Sequence, residues 1–526
     1  MLPSGKFTRL LCFAGMLLFP VPCIAQVVRV DGGRLAGKES GGVVAYKAIP
    51  FAAAPVGQLR WKPPQPVTGW TGIRRADAFA PACMQTGVSM PGETPPAVSE
   101  DCLYLNIWKP AHKGPAKAVL VKIYGGGFSN GSGAMPLYWG DKLARQGIIV
   151  VTFNYRLGPF GFLAHPELTR ESAAHTSGNY GLLDQIAALR WVQSNIAAFG
   201  GDPGRVTIVG QSAGANSVSI LMASPLAKGL FQGAIAESGG LFEPLKIAPP
   251  YLLPNAEKEG VAYATSLNAH SLAELRALPA EALLHGKAGN ITHVILEPSV
   301  LPESPYDVFA AGRQNDVPLL VGSNANEAGA MIPDLPATTA ATVKDDLKKS
   351  FGFLSDDLLA AALTAYPHET DLQARQARLG FERDIRFGWD MWSWARLQSK
   401  TGRNKVFYYY FDQTPPFPKG SVYQDWGASH FSELWYVFDH LDQENWKWSP
   451  QDRYLAKAMS TYWVNFVKRG DPNGDHLPPW PNFTGEGPVQ YLGSDIHSGA
   501  VANLNSLRVF DDVYNRARGF PFGATK

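Results

Sequence analysis

The 526-residue chain is 45% hydrophobic, and 47 basic and 45 acidic residues give it a formal net charge of +2. Such a chain can bury one large core or two ordinary ones. No run of lysine and arginine is long enough to follow a phosphate backbone, so the composition argues against a nucleic-acid partner.

The first 25 residues (1–25) are predicted to be a signal peptide. A short basic start precedes an apolar stretch at 10–19, and Ala25 precedes a suitable cleavage point. The alternative is a membrane anchor, but the apolar stretch is shorter than the roughly 20 residues that a spanning helix needs. We therefore expect a secreted or periplasmic protein without stable membrane insertion, whose mature part, 26–526, is a single large domain.

Two cysteines remain once 1–25 is removed, Cys83 and Cys102. An even pair in an exported chain indicates one disulfide, and the alternative is two unpaired buried thiols. The chain contains neither a C-x-x-C pair nor an HExxH stretch, so we expect no metal.

Apolar runs alternate with helical patterns along the mature chain. A helix is predicted at 182–198, where apolar residues recur at helical spacing, and the stretch from about 330 to 400 is mostly helical in pattern. Strand, helix and strand in this order predict an α/β fold with a mostly parallel sheet flanked by helices. The predicted strands lie at 118–124, 147–154, 206–209, 317–321 and 406–411.

The sequence GQSAG at 210–214 follows directly on the predicted strand 206–209. A G-x-S-x-G motif between a strand and a helix is a nucleophile elbow, whose small flanking residues let strand and helix approach closely. An ordinary tight turn is the alternative, but the strand-turn-helix setting favours the elbow. Ser212 is therefore the predicted nucleophile.

A glycine run at 125–127 follows an earlier predicted strand. Attack by a serine on a carbonyl creates an oxyanion, which needs N–H donors already in place. Glycine suits this task because the backbone must come close to the substrate. We expect donors from this run and from the N–H of Ala213, which follows the nucleophile.

A base and an acid should follow the nucleophile, in the chain order serine, acid, histidine. His430 is favoured as the base because it lies in a loop just before an apolar helical pattern at 434–438. Glu327 is favoured as the acid because it follows the end of a predicted strand. The alternatives are His368, His440, His476 and His497 for the base, and Glu303, Asp307 and Asp316 for the acid.

Taken together, these motifs resemble the type-B carboxylesterases, which include the cholinesterases and bacterial para-nitrobenzyl esterases. The likeness extends from about residue 28 to residue 510. The stretches that carry it, besides the elbow, are EDCLYLN at 100–106, YGGGF at 124–128, NYRLGPFG at 154–161, GNYGLLDQ at 178–185, FGGDP at 199–203, ESG at 237–239, GDPN at 470–473 and WP at 480–481.

The resemblance implies an α/β-hydrolase fold with helical insertions over the active site. It also implies a serine carboxylesterase that forms an acyl-enzyme, with a small-molecule ester as substrate and no cofactor; it leaves the oligomeric state open. The implied residues are the triad Ser212, Glu327 and His430, the oxyanion donors of Gly126, Gly127 and Ala213, the serine that hydrogen-bonds the acid, Ser238, and the disulfide Cys83–Cys102.

Several departures from the family pattern bear on geometry and substrate. Ala328 is inserted before the glycine of the acid loop, and Phe431 replaces the small residue that usually follows the histidine. The elbow has Gln211 where cholinesterases have glutamate. The loop at 84–101 lacks the aromatic residue that cradles a quaternary ammonium in cholinesterases. Choline esters are therefore not expected as substrates.

Two other functions remain compatible with such a fold. Some cholinesterase-like domains have lost catalysis and serve in adhesion, but they typically lack the nucleophile, which is present here. An amidase or a broad lipase is a nearer alternative, because fold and triad do not determine the leaving group.

Overall fold

A computed structural model describes residues 26–87, 96–244, 247–287 and 291–525. The predicted signal peptide lies outside the described residues and stays a prediction. Within these ranges, no helix combines the length and the apolar character that a membrane crossing requires.

A central sheet of eleven strands dominates the described structure. Its strand order is β16-β15-β14-β13-β12-β11-β9-β10-β8-β4-β3, and β1, β2 and β5 form a small separate sheet. The strands are β1 Val27–Val30, β2 Gly33–Ala36, β3 Lys38–Ser40, β4 Val43–Pro50, β5 Ile73–Arg75, β6 Ala82–Cys83, β7 Val98–Ser99, β8 Tyr104–Pro110, β9 Lys117–Ile123, β10 Ile149–Phe153, β11 Gly201–Gln211, β12 Gly233–Glu237, β13 Leu319–Asn324, β14 Val406–Phe411, β15 Val489–Leu492 and β16 Ile496–Gly499.

The sheet is parallel from β10 through β9, β11, β12, β13 and β14 to β15, and antiparallel pairs close both edges. The α/β class and the mostly parallel sheet are thus confirmed. The predicted strand 406–411 has the observed bounds of β14. Strand β11 is longer than the predicted 206–209, because Gly201 already pairs with β9 before an irregularity that ends at Val206.

Helices pack against the sheet and cover one end of it. Four of them, α10 to α13, fill 343–401 and confirm the helical expectation there; a π-helical turn at 384–388 joins the last two. The helices are α1 Asp141–Arg145, α2 Gly158–Phe162, α3 Pro166–Glu171, α4 Tyr180–Asn195, α5 Ala213–Ala223, α6 Leu253–Ser266, α7 Leu272–Ala277, α8 Ala280–Leu283, α9 Pro305–Ala310, α10 Val343–Ser350, α11 Asp356–Leu363, α12 Asp371–Arg383, α13 Trp389–Thr401, α14 Leu434–Val437, α15 Pro450–Arg469 and α16 Leu504–Arg518.

The core lies on both faces of the parallel strands. All five residues of β10 are buried, as a strand covered by helices on both faces requires. Strands β9, β11, β12, β13 and β14 run in the same direction, so their carboxyl ends share one edge of the sheet, where ligands bind in open α/β folds. Away from the sheet, Cys83 and Cys102 form the predicted disulfide, with an S–S distance of 2.06 Å.

Candidate active site

The elbow lies at the carboxyl end of β11, directly before α5. Ser212 has φ 57° and ψ −128°, a backbone conformation that residues other than glycine rarely adopt. Its N–H donates to the carbonyl of Glu237 at the end of β12, at 2.9 Å. A side chain at Gly210 would overlap the backbone of Gly214, which shows why the turn needs glycine there.

The glycine run turns back over the elbow from the end of β9. Gly126 has φ 98°, and a side chain at this position would overlap Asn130. The N–H groups of Gly126 and Gly127 take part in no hydrogen bond among the described residues, and Ala213, as the first residue of α5, has no intrahelical acceptor for its N–H. The three expected oxyanion donors are therefore available for a ligand.

Glu327 and His430 contact each other from two separate segments. Glu327 follows the end of β13, and His430 lies in the long loop after β14. The Nδ1 of His430 lies 2.7 Å from Oε2 of Glu327, and both side chains are buried. The backbone N–H of Asn324 donates to the other carboxylate oxygen at 2.6 Å. A carboxylate oxygen accepts hydrogen bonds, so Nδ1–H of His430 is the donor in this contact.

Gln211 contacts the same imidazole. Its amide Nε2 lies 3.1 Å from Nε2 and 3.5 Å from Nδ1 of His430, so it lies beside the ring rather than in line with the lone pair of Nε2. No hydrogen bond joins Ser212 Oγ to His430 in the described structure; catalytic contacts of this kind often tighten only when substrate binds.

The alternative bases and acids lie elsewhere and have other partners. His440 binds the carbonyl of Leu137, and His497 stacks on Tyr491. Among the acids, Glu303 pairs with Arg313 at the surface. Asp307 caps a helix with Ser304, Asp316 binds Gln398, and His368 binds the carbonyl of Tyr366.

The hydrogen bond that the resemblance implies between Ser238 and the acid is not formed. The Ser238 hydroxyl is buried and has no hydrogen-bond partner among the described residues. Both oxygens of Glu327 already have donors, the N–H of Asn324 and the ring of His430. Ser238 contributes its backbone instead, donating its N–H to Gly322 at 2.9 Å.

A cavity of about 350 Å³ opens onto these groups. Ser212, Gln211, His430 and the glycine run line one side of it. The remaining walls are mostly apolar and aromatic, and His430 is the one ionisable side chain apart from Tyr138 among the described lining residues. The other lining residues are Asn130, Met135, Leu137, Tyr138, Ala330, Met331, Trp426, Phe431 and Leu434.

Comparison with known proteins places this geometry in one family. The model of the carboxylesterase family matches residues 24–508. The chain is 37% identical over 515 residues to a fumonisin B1 esterase from Sphingopyxis macrogoltabida, covering 91% of this chain and 89% of the relative. It is 35% identical over 482 residues to a para-nitrobenzyl esterase from Bacillus subtilis, covering 87% and 92%.

The chain belongs to the carboxylesterase family. A solved para-nitrobenzyl esterase structure superimposes with a TM-score of 0.79 at 33% identity, over 92% of this chain and 99% of the other. The α/β-hydrolase fold is thereby confirmed. The protein is a carboxylic ester hydrolase, and serine acyl-enzyme chemistry is general in its family.

Among the described residues, no group of three or more histidine, cysteine, aspartate or glutamate side chains is arranged to hold a metal ion.

Phe387 supports the imidazole and was not predicted from the sequence. Its ring stacks on His430 with centroids 4.4 Å apart and planes at 18°. Phe387 belongs to the π-helical turn, which Asp384 anchors through contacts to Arg383 and to the hydroxyl of Tyr366. Such single π turns often occur at functional sites. A helical pattern in the sequence does not reveal where the extra residue is inserted.

A second buried carboxyl, Glu433, lies behind the acid of this site. Asn324 connects the two, since its backbone N–H donates to Glu327 and its side-chain amide donates to Glu433. Burial raises the pKa of the Glu433 carboxyl well above its usual range, and the nearby carboxylates Glu237 and Glu327 add to the rise. This environment therefore favours the protonated form of Glu433.

We expect Phe387→Leu to lower kcat by roughly two- to tenfold, while KM changes less. This factor corresponds to the free energy of one aromatic contact, about 0.5–1.5 kcal/mol. The ring faces the imidazole, and a ring face stabilises the cation that an imidazole forms when it acts as a base. The measurement is steady-state kinetics on a p-nitrophenyl ester. Phe381→Leu is the matched control, because Phe381 packs on Phe351 and Phe510 away from the cavity. An equal fall in kcat for both variants would contradict the role of Phe387.

Glu433→Gln should change how stability depends on pH. The folded pKa of Glu433 lies above that of an unfolded glutamate, about 4.3, so the folded state binds the proton more tightly and the wild type loses stability as pH rises above that value. Glutamine has no proton to lose and can still accept from Asn324. The free energy of unfolding of the variant, relative to wild type, should rise as pH increases above about 4.3, by about 1.4 kcal/mol per unit of pKa shift, and melting temperatures measured across pH would follow it. A difference independent of pH would refute the raised pKa of Glu433.

Proposed function

We propose that Ser212, His430 and Glu327 form the catalytic triad of this carboxylesterase. The observation that carries the proposal is the 2.7 Å contact between His430 and Glu327, in a buried position beside a cavity that Ser212 also lines. Gly126, Gly127 and Ala213 are the proposed oxyanion donors, supported by their available N–H groups.

The proposed reaction begins with attack of the Ser212 oxygen on the ester carbonyl. Nε2 of His430 takes the hydroxyl proton, for which the Ser212 hydroxyl must come within hydrogen-bond distance of this nitrogen. Glu327 holds the imidazole in the required tautomer and stabilises its cation. His430 then protonates the leaving alcohol, and it later activates the water that hydrolyses the acyl-enzyme. The backbone N–H of Ser238 binds the carbonyl of Gly322, which ties the end of β12 to β13.

Uncharged esters with apolar or aromatic groups are the proposed substrates. Met135, Met331, Trp426 and Phe431 offer apolar surface, and methionine side chains adapt to different shapes. The loop at 84–101 offers no ring for a quaternary ammonium, which argues against choline esters. A comparison of an amide with its matching ester would distinguish an amidase from an esterase.

We further propose that the enzyme acts outside the cytoplasm, in a secreted or periplasmic form that comprises residues 26–526 as one domain. The signal-like segment at 1–25 and the disulfide support export, because disulfides persist in oxidising compartments. A continuous cluster of buried apolar side chains from Val30 to Tyr514 supports a single domain. N-terminal sequencing of the mature protein would test the cleavage after Ala25.

Ser212→Ala should lower kcat for ester hydrolysis by a factor on the order of 10⁶, because the covalent route is lost. The melting temperature should stay close to that of the wild type. Ser219→Ala is a matched control on the same helix, since the hydroxyl of Ser219 binds the carbonyl of Asn216. A serine-directed organophosphate should label Ser212 stoichiometrically, and mass spectrometry that located the label on another residue would refute the assignment.

Phe431→Gly should favour esters of bulky alcohols over methyl esters. Phe431 lines the cavity at φ 63°, a conformation that glycine adopts without strain. Removing the ring widens the space beside His430, and a pocket discriminates by shape with about 1–3 kcal/mol per group. The ratio of the two kcat/KM values should rise by up to roughly 100-fold. An unchanged ratio would mean that the ring does not shape the alcohol site.

A further inference from the structure

A buried ion pair lies under the cavity and has no part in the proposed chemistry. Nζ of Lys122 is 3.1 Å from Oε2 of Glu237, and the two side chains are 1% and 0% exposed. Lys122 belongs to β9, which ends just before the glycine run. Glu237 is the last residue of β12.

The pair spans the strand that carries the nucleophile. Strands β9 and β12 flank β11, with Lys122 opposite Val209 and Glu237 opposite Gln211. Successive side chains of a strand point to opposite faces, so Val209 and Gln211 share a face of the sheet, and the ion pair joins the neighbouring strands across that face. The same residue that binds Lys122, Glu237, also accepts the N–H of Ser212 through its carbonyl.

Other contacts of the pair lead to the cavity and to α15. The second carboxylate oxygen of Glu237 accepts from the indole of Trp463 at 2.8 Å. Nζ of Lys122 lies 5.3 Å from the ring centroid of Tyr138, which lines the cavity, and 5.7 Å from that of Phe438. Both charges are thus fixed in direction by their surroundings.

Stability alone is a poor reason for such a pair. Removing two charges from water costs about as much as their attraction returns, and well-packed uncharged replacements are often neutral or stabilising. A directional contact between fixed charges can instead define the relative position of two strands. We propose that the Lys122–Glu237 ion pair is a positioning device, which sets the oxyanion glycines at the end of β9 relative to Ser212 at the end of β11.

The proposal rests on the oxyanion role proposed for Gly126 and Gly127. Donors of an oxyanion hole act on the charge that develops in the transition state and must lie within a few tenths of an ångström of their working positions. A displaced glycine run therefore lowers the stabilisation of the transition state more than it lowers the affinity for substrate. The expected signature is a fall in kcat with little change in KM.

The test is the double variant Lys122→Met/Glu237→Gln, in which no buried charge is left unpaired and the new amide oxygen can still accept from Trp463. We expect a melting temperature equal to or above that of the wild type, kcat lowered about tenfold and KM changed less than twofold. Affinity for a trifluoromethyl ketone, which forms an oxyanion on the serine, should fall in parallel with kcat/KM. A double variant with wild-type kcat and wild-type ketone affinity would overturn the proposal.

The matched control is Arg156→Met/Asp184→Asn. This pair is similarly buried, at 4% and 0% exposure with a distance of 2.8 Å, but it joins the loop after β10 to α4, and neither residue lines the cavity. We expect its kcat to stay at the wild-type value. An equal loss of kcat in both double variants would overturn the proposal, because it would show a general effect of removing buried charge.

Organophosphate labelling separates this proposal from the proposed triad. Failure to label Ser212 in the wild-type enzyme would refute the triad itself. Labelling of Ser212 in the wild type, together with an equally fast labelling of the Lys122→Met/Glu237→Gln variant, would leave the triad standing and refute the positioning role.

Discussion

The site depends on one contact, between a carboxylate and an imidazole that are held 2.7 Å apart away from water. Glu327 follows β13 and His430 belongs to the long connection after β14, so their approach requires two chain segments to meet. Two contacts bring them together: Asn326 pairs with Ser429 in an isolated parallel bridge, in which the N–H of Asn326 donates to the carbonyl of Ala428, and the side-chain amide of Asn324 donates to the carbonyl of Ser429. The geometry of the site therefore depends on how these two segments pair at the carboxyl ends of the strands.

This buried contact has an electrostatic cost, because other acidic groups lie close to it. Glu237, Glu327 and Glu433 are all fully or almost fully buried within the same region of the sheet. Their mutual repulsion is reduced in two ways: Lys122 pairs with Glu237, and burial raises the pKa of Glu433, which favours its neutral form. The carboxylate of Glu327 faces the imidazole. The low dielectric of the interior strengthens that interaction, as it strengthens every charge interaction there.

Local patterns predicted the parts of the site that local backbone chemistry determines. The elbow and the glycine run could be found because a strained turn and a close backbone approach demand glycine at fixed positions, as Gly210 and Gly126 illustrate. The strand at 406–411 was found with its observed bounds because it is a single apolar run. His430 and Glu327 could be ranked above their alternatives only through chain order and family resemblance, because the two residues lie 103 positions apart in the sequence.

Long-range packing explains what the sequence did not reveal. Phe387 contacts His430 from a π turn, and the residue inserted in that turn does not show in the helical periodicity of the sequence. The two residues are also 43 positions apart. Likewise, the pairing of Lys122 with Glu237 requires the strand order β9-β11-β12, which a list of predicted strands does not contain. The missing bond of Ser238 has the same origin, because it depends on which donors already occupy Glu327. The residue types alone were sufficient to predict the elbow and the glycine run. The partners of the side chains could not be predicted, because they depend on how the strands assemble into the sheet.

The loop that carries His430 shows how strain at the site is compensated by packing. Phe431 has φ 63°, which is costly for a residue with a bulky side chain. Its ring, however, is held edge-on by Trp426 at 6.1 Å and Trp435 at 6.0 Å, and Trp435 in turn contacts Trp446 at 4.9 Å. Aromatic contacts of this type contribute about 0.5–1.5 kcal/mol each beyond simple burial, so two of them can offset a strained residue. Phe431 and Trp426 also line the cavity, and the packing that stabilises the histidine loop therefore also determines the shape that a substrate meets.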